Sequence, residues 1–279
     1  MIVLDIRPMT GDDIAPAVAM YKAGCWGERR EFLEWVLANP STRPLVGVRK
    51  GSVVATGMAT ISGQVGWVGS IFVDRTMRSR GYGRAITDAA CELIDAAGCR
   101  TQALIASEYG RPLYESMGFR VDAEYQVLEA ATIARAPSRP TGRTLRPMRL
   151  GDLRRVCSLD RRATAEDRSG LLRALEDRAW VLETDGELLG FVGSILPDSG
   201  AVIASNVEDA AALLEHLRHM SHGKARTVQA TVPACNPAGI EGLQRLGWSP
   251  TFQTPRMLRG ADVAWNPAMI WGILSRAWG

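Results

Sequence analysis

The chain has 279 residues, 46% hydrophobic and 23% charged, with a formal net charge of +3. That length supports one large or two medium domains, and so mild and scattered a charge argues against a nucleic-acid partner. No apolar run reaches bilayer length, so no membrane partner is expected. From the amino end, Met1-Ile2-Val3-Leu4-Asp5 enters a strand directly, without the basic stretch and apolar core of a secretory leader. Arg7-Pro8-Met9 and Asp13-Ile14 then open a helical region that carries Trp26, Glu28, Phe32 and Trp35. Within it, Glu28-Arg29-Arg30-Glu31 reads as a solvated helix face. Lys50-Gly51 before Val53-Val54 marks a hairpin turn.

The run Trp67-Val68-Gly69-Ser70-Ile71-Phe72-Val73 is apolar on both alternating faces, as a central strand is. Ile86, Ala90, Leu93, Ile94 and Ala97 recur at helical spacing, with Gly98 as the cap. Between them stands Arg78-Ser79-Arg80-Gly81-Tyr82-Gly83-Arg84. A strand, a glycine loop and a helix start point backbone N–H groups and a positive helix end into one concavity, which suits a diphosphate. The glycines admit close approach, while Arg75, Arg78, Arg80 and Arg84 supply charge. The spacing Arg-x-x-Gly-x-Gly is neither a Rossmann nor a Walker signature.

Residues 135–143, rich in proline and glycine, predict a linker, which divides the chain into residues 1–134 and 144–279. The two sides repeat one plan. Arg146-Pro147-Met148 with Asp152-Leu153 answers Arg7-Pro8-Met9 with Asp13-Ile14 at the same spacing, Asp185-Gly186 answers Lys50-Gly51, and Gly247-Trp248 answers Gly118-Phe119. Each half then has the order β-α-α-β-β-β-α-β-α-β. The second half has no glycine pair before its matching helix; Glu208 and Asp209 stand there and would repel a diphosphate. Leu243 occupies the place of Tyr114.

Five scattered cysteines without C-x-x-C spacing read as reduced, mostly buried thiols of a cytoplasmic protein. His216, His219 and His222 fall on the polar side of the helix set by Leu213, Leu217 and Met220, and no metal site is expected. Trp265, Trp271 and Trp278 are expected to pack on the second domain.

With Ile71-Phe72-Val73-Asp74 before the loop and Leu113-Tyr114-Glu115-Ser116-Met117-Gly118-Phe119 after it, the chain resembles the GNAT superfamily of acyl-CoA-dependent N-acyltransferases. Over nearly its whole length it is similar to a bacterial tandem subfamily with an intact first and a degenerate second domain. Residues carrying that closer match are Asp160, Ala163-Thr164, Asp167-Arg168-Ser169 and Ile270-Trp271-Gly272-Ile273-Leu274. The resemblance implies an α/β (α+β) fold of two tandem domains, each a mixed, mostly antiparallel sheet flanked by helices. It implies acetyl-CoA as cosubstrate and no metal. The pantetheine would lie along Ile71, Phe72 and Val73, and the diphosphate on Arg78, Ser79, Arg80, Gly81, Tyr82, Gly83 and Arg84. Tyr114 matches the position of the proton donor to the leaving thiolate; packing its ring over the cosubstrate is the other reading.

Many members carry a strand glutamate where this chain has Trp67, so the base stays open between ordered water, Glu108 and the glutamates near Glu28. Trp26, Glu28, Trp35 and Trp67 are the expected acceptor contacts. Asp160, Asp167 and Arg168 either reach the acceptor or cap the first helices of the second domain. The expected function is acetyl transfer to a primary amine of a small molecule, in a monomer or homodimer. Protein N-terminal or lysine acetylation, or a non-catalytic acyl-CoA-binding module, are the alternatives.

Overall fold

The computed structural model describes residues 4–137 and 142–278. Residues 138–141 of the expected linker lie outside the described residues. By their contacts the residues group into two compact units, residues 4–104 with Arg259–Ala261 and Trp278, and Ile105–Leu258 with Asp262–Ala277.

The first unit runs β1 (Asp5–Pro8), α1 (Ile14–Ala23), α2 (Arg30–Ala38), β2 (Thr42–Arg49), β3 (Ser52–Ser62), β4 (Val65–Val73), α3 (Tyr82–Ala96) and β5 (Thr101–Ile105), whose last residue already belongs to the second unit. Strands β1 to β4 pair antiparallel in sequence order. The hairpin between β2 and β3 turns on Lys50 (φ 49°) and Gly51 (φ 77°), the two positive values a two-residue turn needs to match strand twist. Helix α3 lays Ile86, Ala90 and Ile94 on one face of the sheet, all fully buried. A Cβ on Gly66 would stand 2.2 Å from Ile94 Cγ2, so the strand there touches the helix almost backbone to side chain.

The second unit runs α4 (Arg111–Ser116), β6 (Arg120–Ala131), β7 (Thr144–Pro147), α5 (Leu153–Thr164), α6 (Ser169–Arg173), β8 (Ala179–Thr184), β9 (Glu187–Gly193), β10 (Ala201–Ala204), α7 (Val207–Met220), β11 (Thr227–Pro233), α8 (Pro237–Arg245), β12 (Ser249–Gly260) and β13 (Ile270–Gly272). Each half has the expected element order, and β13 is an addition. Strand β6, from the first repeat, pairs antiparallel on its two sides with β11 and β12 of the second. The other sheet is ordered β13-β10-β9-β8-β7, antiparallel throughout. A core of Leu182, Val202, Leu213, Leu214, Val228, Val232, Leu243, Trp248 and Trp271 lies between strands and α7.

The internal repeat is physical as well as textual. Arg7 grips Asp13 through two bonds of 2.7 Å, and Arg146 grips Asp152 through bonds of 2.6 and 2.9 Å. In both copies the carboxylate also accepts from a backbone N–H three residues before it, Thr10 at 2.8 Å and Arg149 at 2.9 Å. The guanidinium holds each carboxyl well below the usual range. Gly118 and Gly247 share φ 86°, and the residues after them, Phe119 and Trp248, donate to Tyr114 and Leu243 carbonyls at 3.0 and 3.1 Å.

Three sequence expectations are corrected. His216 is not on a polar face: it is 8% exposed, its ring 4.2 Å from that of Trp180, and burial pushes it down to about 4. The position is one step from the Leu213–Leu217 stripe, so a modest widening of the apolar face takes it in. Among the cysteines only Cys91 is buried; Cys99 and Cys157 are half-buried, and Cys25 and Cys235 are exposed. Trp278 belongs to the first unit, while Trp271 is in the second unit's core and Trp265 stacks beneath Arg256 at 4.2 Å.

Candidate active site

The site begins with a defect in strand β4. Its register against β3 steps from Thr56↔Phe72 to Met58↔Gly69, so Ser70 and Ile71 together face Gly57. This is a β-bulge, with Ser70 in the left-handed region at φ 53°. A bulge leaves a residue out of the ladder and re-aims the local peptide groups. Buried hydroxyls hold it. Thr56 Oγ1 donates to the Ser70 carbonyl at 3.0 Å, and Tyr21 Oη lies 2.8 Å from Thr56 Oγ1. The threonine has spent its one proton on Ser70, so the tyrosine must donate, and burial pushes its phenol up to about 12. Gly57 completes the fit, since a Cβ there would stand 2.8 Å from Ile86 Cγ1.

On its other side β4 pairs in parallel with β5 only at Val65, Gly66 and Trp67, opposite Thr101, Gln102 and Ala103. Among the described pairings, the segment from Val68 to Val73 has no ladder on that side. Its backbone edge therefore offers donors and acceptors to an extended ligand.

The strand leads into the glycine loop. Asp74 Oδ1 accepts from Thr76 N at 2.8 Å and Thr76 Oγ1 at 2.6 Å, fixing a single 3-10 turn at Arg75–Met77; these bonds lower the Asp74 pKa. Ser79 (φ 60°) and Gly81 (φ 81°) then take left-handed conformations, and Gly81 is the residue from which α3 starts. A Cβ on Gly81 would meet nothing within 4 Å, so the glycine is required by its backbone angle and not by crowding from its own chain. The first-turn N–H groups of Tyr82, Gly83 and Arg84 come before the helical ladder starts, which Ala85 N opens on the Gly81 carbonyl at 3.0 Å. Arg75, Arg78, Arg80 and Arg84 are exposed around this helix start. Arg78 rests over the Phe72 ring at 5.8 Å with Nε 3.3 Å from the Val73 carbonyl. The Tyr82 side chain is buried at 6% exposure, so only its backbone faces the loop.

The side chains expected to meet the acceptor take different places. Trp26, 38% exposed, lies in the connection between α1 and α2 against Phe72 (4.7 Å) and Tyr21 (5.4 Å), with Arg29 5.6 Å above it. Gly24 allows this cluster, because a Cβ there would fall 2.1 Å from Phe72 Cζ. Glu28 is exposed and ion-paired to Lys22, and that bond lowers its pKa, away from what a general base needs. Trp35 is half-buried and packs on Trp278 at 5.4 Å, as does Phe32 at 5.4 Å. Trp278 is fully buried and donates Nε1–H to Thr60 Oγ1 at 2.7 Å. Trp67 is 1% exposed, cross-strand from Thr60 and on the sheet face opposite Gly66, so it is a core residue of this sheet.

Tyr114 and Glu108 belong to the second unit. Glu108 is exposed in the turn before α4. Tyr114 sits within α4, 8% exposed, with its ring 6.1 Å from Phe119. Gly110 gives it room, since a Cβ there would stand 2.9 Å from Tyr114 Cε2. Asp160 and Arg168 face each other in a buried bidentate pair at 2.5 and 3.0 Å, and Asp167 caps Ser169 N at 3.2 Å. These bonds join residues of the second unit. No group of metal-ligating side chains occurs among the described residues, and no helix is long and apolar enough to cross a membrane.

The hydroxyl relay from Tyr21 through Thr56 to Ser70, and the aromatic cluster on Phe72, are the parts that sequence reading missed. The one sequence signal was a tyrosine and a threonine placed on otherwise apolar faces.

In the second unit the strand leading to the matching helix is β10, and its free edge is taken. Strand β13 pairs with it at Val202↔Gly272 and Ile203↔Ile270. Trp271 Nε1 donates to the Ala204 carbonyl at 3.1 Å, and Gly272 is needed because a Cβ would stand 2.4 Å from the Gly200 carbonyl oxygen. The start of α7 is capped by Asn206, whose Oδ1 accepts from Asp209 N at 2.9 Å, with Asp209 paired to Arg143 at 2.5 Å.

Comparison with known proteins agrees with this geometry. A model described as "Acetyltransferase (GNAT) family" matches residues 14–119, and one described as "Acetyltransferase (GNAT) domain" matches residues 156–270. No curated protein matches the chain. Among solved structures, a Pyrococcus horikoshii protein described as a candidate acetyltransferase is 23% identical, covering 99% of this chain and 96% of its own, with a TM-score of 0.83. A tandem GNAT protein from the clavulanic acid biosynthesis pathway is 19% identical over 93% of this chain and 99% of its own, with a TM-score of 0.66. A GCN5-related N-acetyltransferase from Sphaerobacter thermophilus is 16% identical over 95% and 98%, at 0.62. At these identities the likeness is one of fold. With two such modules in tandem across most of its sequence, the chain belongs to the GNAT family of acetyltransferases.

Proposed function

We propose that the chain is an acetyl-CoA-dependent N-acetyltransferase that acetylates a primary amine of a small molecule, with one working site per chain, in the first repeat. The observation that carries this reading is the continuity of a bulged strand, open along one edge, with a left-handed glycine at a helix start. The edge of Ile71, Phe72 and Val73 suits the amide-bearing pantetheine, and the loop from Arg78 to Arg84 suits the diphosphate. Acetyl-CoA supplies an activated thioester, whose carbonyl carbon the amine attacks as the thiolate leaves. The Ile71 N–H, turned by the bulge, is the donor for the carbonyl oxygen as it gains charge. Tyr114 gives its proton to the departing sulfur. Glu108, exposed in the turn before α4, takes the ammonium proton through water.

The second repeat lacks these features. β13 covers the edge of β10, and Asn206 and Asp209 occupy the helix start, which supports a repeat kept for structure and closed to CoA. The boundary between the repeats is the segment of residues 135–143.

The test is turnover of acetyl-CoA with a panel of small amines, wild type against Tyr114→Phe. The variant is expected to lose between about tenfold and 10⁴-fold in kcat, the range of general acid catalysis, with acetyl-CoA affinity unchanged. Tight acetyl-CoA binding without turnover of any amine would leave a binding module and overturn the enzymatic reading.

A further inference from the structure

A concavity lies in the second unit, between one face of α5 and the hairpin joining β8 to β9. It has a volume of about 430 Å³ and is lined by Arg154, Arg155, Ser158, Leu159 and Arg162 of α5 and by Gly186, Glu187 and Leu188 of the hairpin. We propose that it is a binding site for a phosphate-bearing small anion.

The spacing carries the argument. Arg154, Ser158 and Arg162 stand at i, i+4 and i+8, so they form one stripe along the helix. Arg154 stands a turn before Ser158 and Arg162 a turn after, each about 6 Å away along the axis, within the reach of an arginine side chain. An anion over Ser158 can then take a hydroxyl bond and a forked bond from either side, the geometry guanidinium offers to phosphate.

The charge balance points the same way. Arg155 is already committed, to Asp152 at 2.6 Å, to Glu183 at 3.4 Å and to the Gly186 carbonyl at 2.6 Å, and so fixes the wall between helix and hairpin. Arg161 is paired with Asp167 at 2.9 Å and Asp160 with Arg168. Arg154 and Arg162 make no ion pair among the described residues, and Glu187 is the one carboxylate in the lining. The repeat itself is the control. Counting from the matched Asp13 and Asp152, the first repeat carries Ala15, Pro16, Ala19 and Ala23 where the second carries Arg154, Arg155, Ser158 and Arg162. The scaffold therefore does not require these charges, and the second repeat has them on its own.

Inorganic phosphate is the probe, titrated into the full-length protein at constant ionic strength with chloride as the compensating salt. Saturable binding is expected. The double variant Arg154→Ala/Arg162→Ala should weaken it by about tenfold or more, and Ser158→Ala by less, with acetyl-CoA affinity unchanged in both. Gly81→Glu should leave phosphate binding intact, which separates this site from the glycine loop. Equal binding in wild type and double variant, loss in Gly81→Glu, reproduction by chloride, or binding of anionic vesicles without binding of free phosphate would each overturn the assignment.

Discussion

Gly81→Glu is expected to abolish measurable acetyl-CoA binding by the full-length chain while leaving it folded. The glycine stands at φ 81° where α3 begins, a conformation that costs an L-residue about 1–2 kcal/mol. A Cβ there meets no atom of the protein, so the fold itself is little disturbed. The new carboxylate would stand at the helix start that we propose binds the diphosphate. Strain and like-charge repulsion together should weaken binding by at least about a hundredfold. Gly81→Asn is the control, because asparagine tolerates the left-handed region and adds no charge; it should stay within about tenfold of wild type. Calorimetry reads both. Wild-type affinity in Gly81→Glu would remove the diphosphate from this loop.

Trp278→Ala is expected to destabilise the protein by about 3–5 kcal/mol, the usual loss for a large aromatic in a core. The indole is fully buried between Phe32 and Trp35 of α2 and bonded to Thr60 of β3. Trp278→Phe keeps most of the packing but strands the Thr60 hydroxyl, and should cost closer to 1–3 kcal/mol. Urea unfolding of the two variants, read as a change of midpoint at constant slope, gives both values. A loss below about 1 kcal/mol in Trp278→Ala would mean that this indole is not a core residue of the first unit.

Local chemistry was readable in advance where neighbours in sequence fix the structure. Lys50-Gly51 and Asp185-Gly186 announced their turns, and both pairs have positive φ. The matching spacing of Arg7 to Asp13 and Arg146 to Asp152 marked the repeat, and the structure adds that each is an ion pair, with nearly the same lengths. The glycine loop was legible for the same reason, since a left-handed residue at a helix start leaves a compositional mark.

Partners distant in sequence left no such mark. The element order expected of the first half ends in a strand, but nothing in it says that this strand, β6, pairs with β11 and β12 of the other repeat. Strand β13 is three residues long, too short for a periodic signal, yet it closes the edge of β10. The bulge at Ser70 and Ile71 needs Gly57 and the Tyr21–Thr56 pair, residues separated from it by over a dozen positions or more. His216 was misread because one polar residue beside an apolar stripe looks solvated until Trp180 is known to cover it.

The most direct measurement is the stoichiometry of acetyl-CoA on the intact chain by titration calorimetry. One equivalent per chain is predicted, lost in Gly81→Glu, because the edge of β4 from Val68 to Val73 has no ladder among the described pairings, whereas β13 covers the matching edge of β10 and Asn206 caps α7. Two equivalents would show that β13 and Asn206 do not close the second repeat, and no binding at all would contradict the cosubstrate assignment itself.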